Sequence, residues 1–235
     1  MSVFDGLFLY EIAMLVGGCL LFLVLLAGLV MRLAKNQSTA GLYLFFALAI
    51  VMIGFPSYTE IKISNDGVDL EKTTRDLQAN PTDRQLRATL VAGAARLASR
   101  PIQNAAILTS IARAQIALGN NQAAQRNVEK VLQSSPKDSA ALAVKDRLEL
   151  DKNLVTLSTA VEQHPEDAAA KGNLARVVAD AGKTQIASPV TITNLANAHA
   201  LLGNQAEARQ SLARALQIDP KSPQALQLRD RLGPA

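Results

Sequence analysis

The chain has 235 residues, 49% of them apolar, 4% aromatic and 19% charged, with a formal net charge of +4. A single cysteine excludes an internal disulfide scaffold, the low glycine content excludes a collagen-like fibre, and the apolar fraction excludes wholesale disorder. These averages conceal two unlike parts: all six Phe, all four Met and the Cys precede residue 56, and from Thr59 onward there is no aromatic residue.

Residues 12–31 read IAMLVGGCLLFLVLLAGLVM, uncharged and mostly apolar, and as a helix of about 30 Å they match a bilayer's hydrocarbon core. A second apolar run over 40–55 is shorter. No charge falls between Lys35 and Glu60, however, and Tyr43 and Tyr58 are placed for the two membrane interfaces. It is expected to span as well and to stop at Pro56. Ala13 and Gly17 form one small-xxx-small pair suited to close helix packing. Arg32 and Lys35 lie in the short connection, whereas the tail before Ile12 carries Asp5 and Glu11 and no basic residue. The basic connection is expected to stay cytoplasmic, which places both termini outside, in the periplasm of a bacterial inner membrane. If the second run does not cross, the C-terminal part is cytoplasmic instead. The tail lacks a basic n-region and a small-residue cleavage site, so the first run reads as an anchor and not as a cleaved signal. Residues 1–58 are thus expected to be the membrane anchor.

Residues 59–67 read as a juxtamembrane tether: TEIKIS alternates as a short strand or an extended link does, and Asn65-Asp66-Gly67 is a turn signal. Beyond it apolar residues fall at helical spacing almost to the end. Shifted by 84 residues, the sequence aligns with itself without a gap, with about 22 identical pairs over about 82 positions. Pro81 meets Pro165, Leu118-Gly119-Asn120 meets Leu202-Gly203-Asn204, Pro136-Lys137 meets Pro220-Lys221, and Asp146-Arg147-Leu148 meets Asp230-Arg231-Leu232. The two units are expected at 68–150 and 151–235. Gly and Pro punctuation predicts helices over 68–79, 82–98, 104–118, 122–133 and 138–150, and again over 152–163, 166–181, 189–202, 205–217 and 222–232. The expected fold is all-α, a two-helix transmembrane hairpin followed by an α-solenoid built from this duplication.

One stretch carries a family signature. Within 189–222, Ile192, Leu195, Ala196, His199, Gly203, Ala208, Leu212, Ala215 and Pro220 fall where tetratricopeptide repeats place their signature residues. Residues 105–138 match in the same frame through Leu108, Ile111, Ala112, Gln115, Gly119, Ala124, Val128, Val131 and Pro136. Both stretches resemble the tetratricopeptide repeat, a helix-turn-helix unit, with the family's usual aromatics absent. The resemblance implies a concave surface, lined by the first helix of each pair, that receives a partner protein's peptide or helix. The positions it points to are Thr109, Ser110, Arg113 and Ile116 in the first copy and Thr193, Asn194, Asn197 and Ala200 in the second. Asn194 and Asn197 stand where related domains hydrogen-bond a peptide backbone, and Arg113 suits a carboxylate. The family's strict carboxylate clamp needs several basic residues on successive repeats, a set this reading does not find.

No catalytic, metal or cofactor constellation is expected. His199 takes an aromatic's place in the repeat and His164 precedes Pro165 at a helix end; neither has a Cys or carboxylate cluster at ligand spacing. There is no phosphate loop or nucleophile elbow. Lys and Arg alternate with Asp and Glu, and no aromatic platform exists for bases, so nucleic acid is not an expected partner. The expected activity is protein–protein interaction from a membrane anchor, as scaffold or assembly factor of an envelope complex. Its partners are a protein segment, the lipid bilayer, and a second copy or a larger membrane complex. Two further readings are a periplasmic holdase, since proteins of cytochrome c maturation resemble this chain in joining two spans to such repeats, and an accessory subunit whose hairpin packs inside a membrane enzyme.

Overall fold

A computed structural model describes residues 6–35 and 41–233. The expected tail charge Asp5, the start of the second span at residue 40 and the last two residues lie outside the described residues. Among the described residues the chain is helical throughout, with no strand.

The hairpin is built from α1 (Leu9–Ala34) and the first half of α2 (Leu42–Ala79), both long and apolar enough to cross a membrane. They come close at Gly18, where an added Cβ would meet Met52 Cβ at 2.9 Å and Ile53 N at 3.2 Å. Gly17, the expected contact, stands off further, at 3.4 Å from Met52 Cε. Phe22 and Phe46 close the seam edge to face, 5.5 Å between centroids.

Two expectations at the hairpin's exit are corrected. Pro56 does not end the helix, and 59–67 is neither strand nor turn: α2 runs unbroken for 38 residues. Proline removes the donor that would bond the Met52 carbonyl. It is buried, and the Ser57 and Thr59 hydroxyls fold back onto the Ile53 and Phe55 carbonyls at 2.9 and 3.0 Å, beside the freed one. Gly67 serves as a contact and not as a turn. A Cβ there would stand 3.2 Å from Ile107, so its absence lets α2 lie close to α4.

The remaining elements are α3 (Arg84–Ala98), α4 (Ala105–Ala117), α5 (Asn121–Ser134), α6 (Ser139–Gln163), α7 (Ala168–Gly182), α8 (Pro189–Leu201), α9 (Gln205–Ile218) and α10 (Pro223–Leu232). Helices α7, α8 and α9 begin and end 84 residues after α3, α4 and α5, so the duplication in sequence is a duplication in structure. The caps repeat too. Asp83 accepts from the Gln85 and Leu86 amides, and Asp167 from those of Ala169 and Ala170. Gly119 and Gly203 close α4 and α8 at φ +86° and +84°, a left-handed conformation that a side chain would strain.

The expected boundary between 150 and 151 falls inside α6, one helix of 25 residues that ends the first copy and begins the second. Two layers result. The C-terminal half of α2, then α4, α6, α8 and α10, pack side by side as an inner layer, and α3, α5, α7 and α9 each straddle two of them. Leu77, Leu90, Leu97 and Ile111 anchor the core of the first copy; Leu154, Leu174 and Ile192 anchor that of the second.

Candidate functional site

The inner layer is where side chains from successive helices meet. Between α2, α4 and α6 it opens into a cleft of about 280 Å³, polar at its rim and floored by Ile116 and Val144. Three arginines reach it, one from each helix: Arg75, Arg113 and Arg147. Arg75 stands four residues before the end of α2 and Arg113 four before the end of α4, whereas Arg147 lies in the first half of α6, 34 residues after Arg113. Glu71 faces two of them, with Arg113 Nη1 at 3.3 Å and Arg75 Nη2 at 3.6 Å from its Oε1. Side-chain exposure of 78% at Arg75 makes that pair weak. Arg147 donates instead to the Gln185 carbonyl, and burial pulls its guanidinium below the ordinary arginine value.

The eight expected residues divide sharply. Arg113 and Ile116 line this cleft. Thr109 and Ser110 are buried between packed helices, as is Thr193, whose hydroxyl donates to the Pro189 carbonyl at 2.8 Å. Inner helices touch their neighbours along their flanks, and these residues sit on the flanks. Asn194 donates to Asp151, 3.2 Å away, at the junction of the two copies, where Asn121 donates to the same carboxylate. Asn197 Nδ2 donates to Glu162 at 3.1 Å, and its Oδ1 accepts from Arg231 at 3.2 Å. Ala200 is half-buried.

The same place in the second copy differs in charge. Eighty-four residues after Arg75, Arg113 and Arg147 stand Thr159, Asn197 and Arg231, and Gln78 becomes Glu162. Arg231 bonds Glu162 at 3.2 Å. At these positions the first copy thus carries three arginines and the second one. Sequence reading missed Arg75 and Arg147 because both lie outside the two stretches that match the repeat. The regular interval from Arg113 to Arg147 was the available signal.

A larger outer groove, about 620 Å³, runs between α5 and α6; its rim mixes Glu129 and Glu149 with Lys145 and Lys152 and so presents no single sign of charge.

Two arrangements fix the inner cleft in space. Near the hairpin, Glu11 is 1% exposed; it accepts from the Phe8 amide at 2.8 Å and from Arg100 Nη1 at 3.2 Å. Arg100 also covers the Phe8 ring at 5.2 Å, which ties the α3–α4 connection to the start of α1. Farther out, the segment before α8 offers three successive carbonyls, each held by an arginine from a different helix. Gln185 takes Arg147, Ile186 takes Arg214 at 2.9 Å, and Ala187 takes Arg87 at 3.3 Å. Burial lowers the Arg87 value as well, with Asp219 acting in the opposite sense.

No curated protein and no solved structure matches the chain. A family model does: that of the tetratricopeptide repeat, over residues 191–222, which covers α8 and α9. The chain therefore carries a tetratricopeptide repeat, a unit that serves as a protein–protein interaction module, and the same pair of helices stands 84 residues earlier as α4 and α5.

Proposed function

We propose that the chain is a membrane-anchored scaffold or assembly factor that holds a segment of a partner protein in the inner cleft of its first copy. The observation that carries this reading is the cleft itself, lined from three successive inner helices and standing on α2, the helix that also forms half of the hairpin. On this reading residues 1–58 are the anchor, 68–150 and 151–235 the two units, and the helical stretch 59–67 joins anchor to repeats. Leu20, Leu23, Val24, Phe45, Ile50 and Val51 point outward from the hairpin, as lipid-facing side chains do.

The contact of Glu11 with Arg100 sets the start of α1 beside the repeats, which supports two crossings that leave both ends on one side of the bilayer. Arg32 and Lys35 in the connection favour the outside for that side, and the reading places the repeats in the periplasm. Without aromatics in either groove, little in the repeats favours broad capture of unfolded clients.

The test is purification of the full-length protein in mild detergent with identification of stoichiometric partners. The comparison is a variant carrying Gln78→Trp and Ala143→Trp, which fills the cleft without altering a charge. Loss of a stoichiometric partner in the variant is the expected result. A partner retained despite the blocked cleft moves binding to the hairpin and to the accessory-subunit reading. A reporter fused after Ala235 that is active only in the cytoplasm refutes the topology.

A further inference from the structure

We infer that the outer groove between α5 and α6 takes a helix of a partner protein, one that carries a lysine or arginine near one end and apolar residues along one face. The groove lies in the layer opposite the inner cleft, and its occupant does not depend on what that cleft holds. A break in the layering and an acceptor cluster without a cation together point to it.

The inner helices α2, α4 and α8 are each followed by an outer one, α3, α5 and α9. Helix α6 instead runs on through 25 residues, and α7 packs against its second half, where Leu154 and Val161 meet Leu174 and Val178. The first half therefore has no outer helix following it. There, beside α5, Val128, Leu132 and Leu148 give the groove an apolar floor. From Asn121 to Gln133 it extends about 18 Å, room for about three turns of helix.

Asp151 lines the end of the groove where α5 begins. It is 9% exposed, and the bonds it accepts come from the uncharged amides of Asn121 and Asn194. Because Asn121 turns its nitrogen to that carboxylate, its Oδ1 is left buried with no partner among the described residues. Lys145 and Lys152 on the rim are exposed, and neither forms an ion pair with Asp151. A carboxylate beside an amide oxygen suits a group that only donates. Ammonium offers three donors and guanidinium five, and neither has an acceptor. Charged donors also make the stronger bonds, the more so out of water.

The second copy offers no such end. Eighty-four residues after Asn121, Gln125 and Asp151 stand Gln205, Arg209 and Ala235, and α10 stops at Leu232.

The experiment selects a phage-displayed library of helical peptides of about 14 residues, randomised along one face, on the full-length protein in detergent. Enriched sequences are expected to share one Lys or Arg near an end and apolar residues at three- and four-residue spacing. One of them, fluorescently labelled, then reports affinity by anisotropy. With glutamine in place of its basic residue it should bind the parent more than about tenfold more weakly. Against Asp151→Asn the same change should cost less than about threefold, since both changes remove one contact. Asp151 also joins α5 and α8 to α6, so Gln122→Trp with Gln125→Trp is the second variant. Both side chains are exposed and line the groove, and the pair fills it without altering a charge. It should cost more than about tenfold, whereas the inner-cleft block Gln78→Trp with Ala143→Trp should change binding by less than about twofold.

No enrichment, enriched peptides without a basic residue, or an equal cost of the glutamine change against parent and Asp151→Asn overturns the inference. So does undiminished binding to the Gln122→Trp, Gln125→Trp variant. Peptides lost only on the inner-cleft block belong to that cleft, which leaves the proposed function standing and removes this site. Self-association of the parent that the outer tryptophans abolish puts a second copy in the groove and overturns the partner helix.

Discussion

The two copies share helix ends, caps and core positions at a constant separation of 84 residues, yet they differ wherever they face something other than themselves. The first copy meets the hairpin through Arg100, which reaches a buried carboxylate; the second has Thr184 there, whose hydroxyl turns back to the Ala181 carbonyl. The first presents a row of arginines in its groove; the second presents a paired arginine and an asparagine. Duplication copies the scaffold, because the interior of each unit constrains both alike. Surfaces are released from that constraint and diverge.

This contrast predicts a graded set of effects. Arg100→Ala leaves Glu11 buried without its cation and should cost about 3–5 kcal/mol, since breaking a buried pair strands a charge. Thr184→Ala should cost less than about 1 kcal/mol. Thermal melting of the full chain in detergent compares them, and equal losses would dissolve the distinction between the two junctions.

Leu90 and Leu174 are equivalent and fully buried, so each change to Ala should cost about 2–5 kcal/mol. Because α6 is continuous and three arginines hold the 185–187 carbonyls, both variants should lower one shared transition. Calorimetry that resolves two transitions, each moved by only one variant, would mean that the copies melt independently.

Arg87→Ala removes the donor to the Ala187 carbonyl and should cost about 1.5–3 kcal/mol, while its exposed counterpart Lys171→Ala should stay within about 0.5 kcal/mol. Urea titration separates them. Comparable small losses would make the arginine contact dispensable.

The smallest effect concerns acid. At His199 burial lowers the folded-state pKa from 6.5, with Glu207 acting in the opposite sense, and Nδ1 is buried with no partner among the described residues. Between the lowered value and 6.5 the folded chain binds fewer protons than the unfolded one. Its contribution is therefore intact above about pH 6.5 and is lost as pH falls through that value toward the folded one. Gln115 occupies this place in the first copy, bonded to Asn127 at 2.9 Å. His199→Gln should remove that part of the acid sensitivity, and melting temperatures across pH 5 to 7.5 that are unaltered by the change would refute it.

How much of this was legible beforehand follows the same division between interior and surface. Closing glycines and prolines recur in the sequence because each meets a local backbone need, so helix ends were readable from Pro81, Gly119 and their counterparts. The continuity of α2 was not. Pro56 and Asn65-Asp66-Gly67 are local breaking signals, and tertiary demands overrule them: the proline is buried beside the hairpin, Asp66 pairs with Arg96 at 3.1 Å, and Gly67 makes room for Ile107. Of the groove, Arg113 and Ile116 were legible from the repeat signature. Arg75 and Arg147 belong to helices with no such signature, and only the packing of α2 and α6 against α4 brings them to it.

The unbroken α2 also sets a reach. From Glu60, at the end of the apolar run, to Arg75 the helix rises about 22 Å along its axis at 1.5 Å per residue. A tail leaving the same bilayer covers at most about 3.3–3.6 Å per residue, so it needs at least about six or seven residues before its first contact in the cleft. On the proposed reading of the cleft, a co-embedded partner whose binding stretch begins closer to its last span is too short to be held, whatever its affinity, and the length of a helix becomes a criterion for partner choice.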